Sequence, residues 1–152
     1  MTVVRDAHPR DLRTLVRFNL AMARETEDLG PDPGVLLEGV RAALLDPTRG
    51  RYFVAERMGA VAGALLVTYE WSDWRNAVFW WVQSVYVEPA HRRTGVFTAL
   101  YRHVEALASS AGSCGLRLYV HEHNEIASAV YRKLGMVSSG YRVLETPDAL
   151  RR

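Results

Sequence analysis

The feature that most constrains this chain is a change of pattern at Val87–Phe97, where a strand-like segment gives way to a helix-like one. An apolar, aromatic stretch stops at Pro89, a basic turn with one glycine follows, and an amphipathic pattern then begins. A helix that starts near Gly95 leaves backbone N–H groups unpaired at the positive end of its dipole. The junction is therefore a candidate anion site, although ordinary strand-stop and helix-start signals explain the same residues.

Length and charge narrow the class of protein. A chain of 152 residues is long enough for one self-sufficient domain over residues 1–152. The net charge of +2 is small and the basic residues are dispersed, which argues against a dedicated nucleic-acid surface. No apolar run approaches the roughly 18 residues of a membrane span, and the first residues do not resemble an export signal. We expect a cytoplasmic protein without nucleic-acid or membrane partners.

Metal and disulfide chemistry find little support in the sequence. Cys114 is the only cysteine, so there is no internal disulfide and no CxxC motif. His121 and His123 are two residues apart and have no accompanying acidic triad. We expect no metal site.

The order of hydrophobic patterns predicts an α+β fold. Expected strands are Thr2–Arg5, Tyr52–Glu56, Val61–Glu70, Ala77–Val87, Leu116–His121 and Tyr141–Glu145. Expected helices start at Pro9, cover Val35–Leu45, run from Val96 to Gly112, and run from Asn124 to a stop at Gly135. A helix that connects two strands favours their parallel pairing, whereas the three preceding strands form an antiparallel meander.

Two separated motifs resemble the GNAT superfamily of acyl-CoA N-acyltransferases. The first is Val87-x-Pro89-x-x-Arg92-Arg93-Thr94-Gly95-Val96-Phe97, and the second is Asn124-x-x-Ala127-x-x-x-Tyr131-x-x-Leu134-Gly135-Met136. The resemblance covers about residues 1 to 145 and implies a mixed, mostly antiparallel central sheet flanked by four helices, with a shortened C-terminal strand region. It also implies acetyl-CoA as cosubstrate.

The resemblance assigns residues to the coenzyme. Arg92 and Gly95 match the first and central positions of the family's Arg/Gln-x-x-Gly-x-Gly/Ala turn, whose backbone holds the pyrophosphate. Phe97 stands where the family has glycine or alanine, and we expect its side chain to point into the core. Tyr131 matches the tyrosine that protonates the departing thiolate, although its spacing also suits a core aromatic. The expected coenzyme-binding residues are Val85, Tyr86, Val87, Arg92, Arg93, Thr94, Gly95, Val96, Phe97, Asn124 and Tyr131.

The acceptor side is less constrained by the sequence. An alkylammonium must lose a proton before attack, yet the fourth strand has no carboxylate. Two acidic clusters, one after the first helix and one beside the tryptophans of residues 71–80, are candidates, and both also fit solvated loop carboxylates. The expected acceptor-side residues are Glu25, Glu27, Asp73, Trp74 and Gln83, with Glu70 as a candidate base or relay.

These expectations lead to one function and two alternatives. The resemblance implies an N-acetyltransferase that moves the acetyl group of acetyl-CoA to a small primary amine by direct attack in a ternary complex. The alternatives are acetylation of a protein N-terminus or lysine, and a non-catalytic acyl-CoA sensor. A sheet edge left open by a missing seventh strand also suggests a homodimer.

Overall fold

The computed structural model describes residues 1–26 and 30–146. Within them the strands are β1 (Thr2–Asp6), β2 (Arg51–Arg57), β3 (Ala60–Ser72), β4 (Ala77–Val87) and β5 (Gly115–Leu118). The α-helices are α1 (Leu12–Glu25), α2 (Pro33–Leu45), α3 (Val96–Ser110) and α4 (Glu125–Lys133). Short 3₁₀ turns at Pro9–Asp11 and Pro89–His91 precede α1 and follow β4.

The strands form one sheet in the order β1-β2-β3-β4-β5. The first four strands pair antiparallel with their neighbours, and β5 pairs parallel with β4 after the crossover through α3. The prediction of an α+β fold with a mixed, mostly antiparallel sheet is therefore confirmed.

Local sequence signals explain several element boundaries. The Asp32 carboxylate accepts hydrogen bonds from the N–H groups of Gly34 and Val35 and so caps α2. Met58 and Gly59 have φ of 51° and 78°, which gives β2 and β3 the two-residue turn that suits the twist of a hairpin.

The sheet buries a different hydrophobic cluster on each face. Phe53, Leu65, Trp80 and Val82 pack with Val96, Leu100 and Val104 of α3. Tyr52, Val54, Ala64 and Tyr86 pack with Leu15 and Phe18 of α1 and Val40 of α2. Each fully buried large apolar side chain contributes about 1.5 to 3 kcal/mol, so both faces anchor β2, β3 and β4 firmly.

Two strand predictions were wrong in extent or existence. β5 ends at Leu118 and not at His121, because its partner β4 becomes irregular just beyond that level. The segment from Tyr141 to Glu145 is not a strand, and Tyr141 and Leu144 are 77% and 92% exposed. A segment with no buried face gains too little from packing to hold a strand in register.

The chain falls into two compact units, Met1–Tyr119 and Val120–Arg152. The first contains the sheet with α1, α2 and α3, and the second contains α4. Among the described residues, no helix is both long and apolar enough to cross a membrane.

Candidate functional site

A β-bulge interrupts β4 three residues before its end. Ala64 of β3 lies opposite Tyr86 and Leu66 lies opposite Gln83, so Leu65 faces both Ser84 and Val85. Ser84 has φ of 52°, a left-handed conformation that is uncommon for a side chain other than glycine. The extra residue also reverses the facing of the strand, because Val82 packs on the α3 face and Tyr86 packs on the α1 face.

The pairing between β4 and β5 stops at the same level. Their paired residues run from Phe79 opposite Gly115 to Val82 opposite Leu118. In the part of the chain that the structure describes, no pairing of β4 with β5 continues past Val82. The second half of β4, from Gln83 to Val87, therefore has an open edge on the side away from β3.

Backbone groups of Val85 and Val87 lie on this open edge. The N–H of Glu88 donates to the carbonyl of Ala62 at 2.8 Å, and bonding toward an antiparallel partner alternates along a strand. Tyr86 therefore bonds toward β3, whereas Val87 directs its backbone groups away from it, and Val85 is left without a partner in β3 by the bulge. Such an edge can accept an extended ligand arm as an added strand would be accepted.

The turn after β4 leads into a helix N-terminus that has no side-chain cap. Arg93 and Gly95 have φ of 63° and 87°, and α3 begins at Val96 with no side chain capping its N-terminus. The N–H groups of the first helical turn have no acceptor within the helix, and the helix dipole places partial positive charge there. Thr94 holds the turn in shape by donating from its hydroxyl to the carbonyl of His91 at 2.5 Å. We call residues 92–98 the cradle.

Gly63 of β3 brings the open edge and the cradle together. A Cβ atom at this position would lie 2.9 Å from the carbonyl oxygen of Tyr86 and 3.0 Å from a methyl carbon of Val96. No side chain fits without moving the backbone of β4 or the first turn of α3. Sequence reasoning missed this residue, although a glycine inside an apolar strand pattern often marks a close backbone approach.

The structure joins two residues that were predicted for different sites. The Nη2 atom of Arg92 donates to both carboxylate oxygens of Glu25 at 2.9 Å, and its Nε atom donates to the carbonyl of Val87 at 2.9 Å. Arg92 was expected to serve the coenzyme and Glu25 the acceptor. Glu25 is instead neutralised by Arg92, so it is not an unpaired carboxylate waiting for a substrate ammonium.

Phe97 does not point into the core as expected. Its side chain is half-buried, belongs to neither core cluster, and lies 6.1 Å from the ring of Tyr101, centroid to centroid. Residues that occupy the buried face of α3 include Val96 and Leu100. Because Phe97 follows Val96 by only one position, or about 100° around the helix, it falls at the margin of that face.

Glu70 lies in the regular half of the sheet, far from the open edge. It is opposite Phe79, six residues before Val85, or about 20 Å along the strand. Its carboxylate accepts from the indole N–H of Trp81 at 2.9 Å and from Arg117 at 3.1 Å. This position and these partners conflict with its expected role as a base or relay in acyl transfer at the open edge.

The other expected acceptor residues are scattered. Asp73 and Trp74 lie in the loop beyond the distal end of β3, and the Trp74 side chain is 87% exposed. Gln83 immediately precedes the bulge and donates from Nε2 to the hydroxyl of Thr68 at 2.6 Å. Of this set, Gln83 is therefore nearest along the strand to the open edge. Glu27 lies outside the described residues.

The second unit contains the remaining two predicted residues. The Asn124 side-chain oxygen accepts from the N–H of Ala127 at 3.1 Å, so Asn124 caps α4 as expected. Tyr131 lies on α4, and burial raises the pKa of its phenol above the usual value of about 10. A phenol with a raised pKa keeps its proton at neutral pH, as a proton donor requires.

A separate groove of about 480 Å³ lies between α1 and α2. Its walls combine an apolar floor with arginines: Leu12, Val16, Leu20, Leu37, Arg13, Arg17, Arg24 and Arg41. No residue of the cradle or of the open edge lines it, so it is distinct from the site above. Among residues 1–26 and 30–146, no group of three or more His, Cys, Asp or Glu side chains is arranged to hold a metal ion.

Solved structures share this fold. A possible acetyltransferase from Clostridium difficile 630 is 39% identical, with a TM-score of 0.89 over 96% of this chain and 97% of that one. An integron cassette protein from the Cole Harbour Salt Marsh metagenome is 23% identical, with a TM-score of 0.83 over 96% and 90%. The ribosomal-protein-alanine N-acetyltransferase of Brucella melitensis biovar Abortus 2308 is 16% identical, with a TM-score of 0.76 over 96% and 99%. The similarity to the last two structures, each less than 25% identical, shows a shared fold only.

A comparison with curated proteins gave no match. The sequence matches the acetyltransferase (GNAT) family over residues 17–136, a range that includes the bulge, the open edge, the cradle and α4. Family membership supports acyl transfer as the general chemistry. The bulge in β4 and the helix N-terminus that follows it lie within the matched range. This match, with the 39% identity to the Clostridium difficile structure, shows that the chain belongs to the acetyltransferase (GNAT) family.

Proposed function

We propose that this protein is an acetyl-CoA-dependent N-acetyltransferase that acetylates a small primary amine by direct attack in a ternary complex. The observation that carries the proposal is the second half of β4, where a bulge and an unpaired edge lead directly into a helix N-terminus. This order of features suits a ligand in which an extended arm links a thioester to a pyrophosphate. Family membership supports the acyl-transfer class.

The open edge supplies the electrophilic part of the reaction. The neutral amine nitrogen attacks the thioester carbonyl carbon, and the carbonyl oxygen becomes an oxyanion until the carbon–sulfur bond breaks. The proton that the nitrogen loses as the amide forms passes to solvent water. Val85 lies in the bulge with no partner in β3, so its N–H is the donor that we assign to this oxyanion. A fixed N–H aimed at a developing oxyanion typically contributes a factor of about 100 to 1,000 to kcat.

The cradle supplies the binding of the coenzyme phosphates. The first-turn N–H groups of α3 and the positive helix end favour a pyrophosphate without any side-chain hydrogen bond. Arg93 is exposed and has no salt-bridge partner among the described residues, so its charge is available to a phosphate. Gly95 permits the left-handed backbone that turns the chain into α3.

Tyr131 is assigned the proton that the leaving thiolate takes up. The assignment depends on its place in the family motif, and the raised pKa caused by its burial is compatible with it. Because the thiolate has a pKa near 8.5, transfer from a phenol assists departure only moderately. We expect Tyr131→Phe to lower kcat by about 100-fold while acetyl-CoA still binds.

The pH dependence of Tyr131 has a defined sign. Because burial raises the pKa of the Tyr131 phenol above its ordinary value, the phenol stays protonated through neutral pH. Tyr131 should therefore cause no alkaline fall in kcat near neutral pH. A fall in the wild type near pH 8 that disappears in Tyr131→Phe would contradict the raised pKa, although it would still identify Tyr131 as the proton donor.

The test is release of free thiol from acetyl-CoA with a panel of amines. Small primary amines, a peptide with a free N-terminus and a peptide with an internal lysine are compared, and calorimetry measures acetyl-CoA binding separately. Turnover with a small amine supports the proposal. Turnover confined to a peptide moves the acceptor to protein, and binding without any turnover identifies a sensor.

A further inference from the structure

Arg92 occupies the first position of the coenzyme motif, yet its side chain is already engaged within the protein. Its Nε atom donates to the carbonyl of Val87, and its Nη2 atom donates to both oxygens of Glu25, all at 2.9 Å. The guanidinium carbon lies 5.4 Å from the centroid of the Tyr86 ring. Three partners from β4 and α1 therefore surround the guanidinium.

The neighbouring arginine differs in each of these respects. Arg93 is exposed, has φ of 63°, and has no hydrogen bond or salt bridge from its side chain in residues 1–26 and 30–146. A phosphate that approached Arg92 would have to displace a carboxylate that already neutralises it. A phosphate that approached Arg93 would displace only water.

Among residues 1–26 and 30–146, the contact of Arg92 with Glu25 is one of two ion pairs that join α1 to the end of β4 and the turn after it. Arg17 of α1 donates to Glu88 at 2.6 Å, so the two pairs have opposite polarity. Arg17 and Glu25 are eight residues apart, or about 12 Å along α1. The Tyr86 ring packs against α1, with its centroid 4.9 Å from that of Phe18.

We propose that Arg92 is a positioning residue, which holds the Val87 end of the open edge against α1 through Glu25, and that it is not a ligand of the coenzyme phosphates. The inference rests on the proposed function. It divides the motif into a positioning arginine at 92 and a phosphate-facing arginine at 93. It also implies that Glu25 affects kcat/KM for the acyl donor through Arg92, without contacting the donor.

A donor that lacks phosphates separates positioning from ligation. The value of kcat/KM is measured with acetyl-CoA and with S-acetyl-pantetheine for Arg92→Gln, Glu25→Gln, the double variant, and Arg93→Gln as matched control. Arg92→Gln should lower kcat/KM about tenfold with both donors. Glu25→Gln should lower it about fivefold with both, which is the scale of one half-exposed ion pair. The double variant should be no worse than Arg92→Gln alone.

The Arg93→Gln control and the results that would overturn the proposal can be told apart by the two donors. Arg93→Gln should lower kcat/KM with acetyl-CoA and leave S-acetyl-pantetheine unaffected. Arg92→Gln behaving in that same way, Glu25→Gln improving use of acetyl-CoA, or no effect of either variant would each overturn the proposal. If Arg92→Gln does not fold, Glu25→Gln with the two donors still decides the question.

The conservative variant adds a readout that loss of stability alone would not give. Arg92→Lys keeps a charge for Glu25 but cannot reach Val87 with a second fixed donor at the same time. With both donors, the kcat/KM of Arg92→Lys should lie between that of Arg92→Gln and that of the wild type. Its melting temperature should equal that of the wild type. Absence of acetyl-CoA binding by the wild type in calorimetry would instead refute the proposed function, so the two failures are distinguishable.

Discussion

Phe79 to Val82 of β4 are paired on both edges, whereas Gln83, Tyr86 and Val87 pair with β3 only and Ser84 and Val85 form the bulge. In the regular half, Trp80 and Val82 fill the core, and Trp81 binds the carboxylate of Glu70. In the irregular half, the bulge directs backbone groups into an open edge.

The difference shows where chemistry is available in this molecule. The ionic side chains beside the regular half hold the sheet together: Arg117 bonds Glu70, and its guanidinium carbon lies 3.6 Å from the centroid of the Phe79 ring. The irregular half presents backbone N–H and C=O groups to a ligand. These groups are available only because pairing with β5 is interrupted. The predictions below test this division, starting with the largest expected effect.

Removing the backbone donor of the irregular half should have the largest effect. Val85→Pro deletes an N–H that is not needed for pairing with β3, and proline is tolerated at bulges. We expect kcat to fall by about 100 to 1,000-fold, with the fold retained by circular dichroism. Val85→Ala keeps the N–H and should stay within about threefold of wild type. Equal losses in both variants would show that the side chain matters and the N–H does not.

Adding one methyl group at Gly63 should disturb the irregular half through packing. Gly63→Ala places a carbon 2.9 Å from the carbonyl oxygen of Tyr86, so the backbone must shift at a cost of about 1 to 3 kcal/mol of unfolding free energy. Donor KM should rise as well, because the open edge and the cradle move apart. Urea unfolding and steady-state kinetics measure the two effects.

Gly39 provides the matched control for this substitution. It lies in α2, where an added Cβ meets nothing within 4 Å. Gly39→Ala should raise the unfolding free energy by up to about 1 kcal/mol and leave donor KM unchanged. If Gly63→Ala behaves like this control, the close approach is unimportant.

Conformational strain in the cradle should have a smaller effect. Gly95 has φ of 87° and no neighbour within 4 Å of an added Cβ, so Gly95→Ala is strained by conformation and not by crowding, at about 1 to 2 kcal/mol. Gly112, at the other end of α3, has φ of 74° and equally open space. Both alanine variants should lose similar stability in thermal melts, but only Gly95→Ala should raise KM for acetyl-CoA.

Neutralising the carboxylate of the regular half should have the smallest effect on catalysis. Glu70→Gln leaves an amide that can still accept from Trp81, and the position is about 20 Å from Val85 along the strand. We expect kcat/KM to stay within about threefold of wild type across the pH range. A loss of the acidic limb of the pH profile would restore Glu70 as a base.

Local patterns in the sequence predicted most elements of the fold. The apolar runs of β2 and β3, the helical spacing in α3, the Asn124 cap and the stop at Gly135 each depend on residues a few positions apart. The change from strand to turn to helix that we predicted at Val87–Phe97 is also found there. Predictions failed where a segment needed a partner, as for Tyr141–Glu145.

The sequence by itself determined the order of elements, the position of the cradle and the motifs that indicate acyl transfer, because each is written in short-range spacing. Only the tertiary structure decided that Leu65 faces two residues of β4, that Arg92 bonds Glu25 across 67 positions, and that Arg117 bonds Glu70 across 47. These depend on strand register and on the packing of α1, which no local pattern specifies. The sequence therefore identifies a charged side chain, but only the tertiary structure identifies its partner. That partner decides whether the charge is available to a substrate.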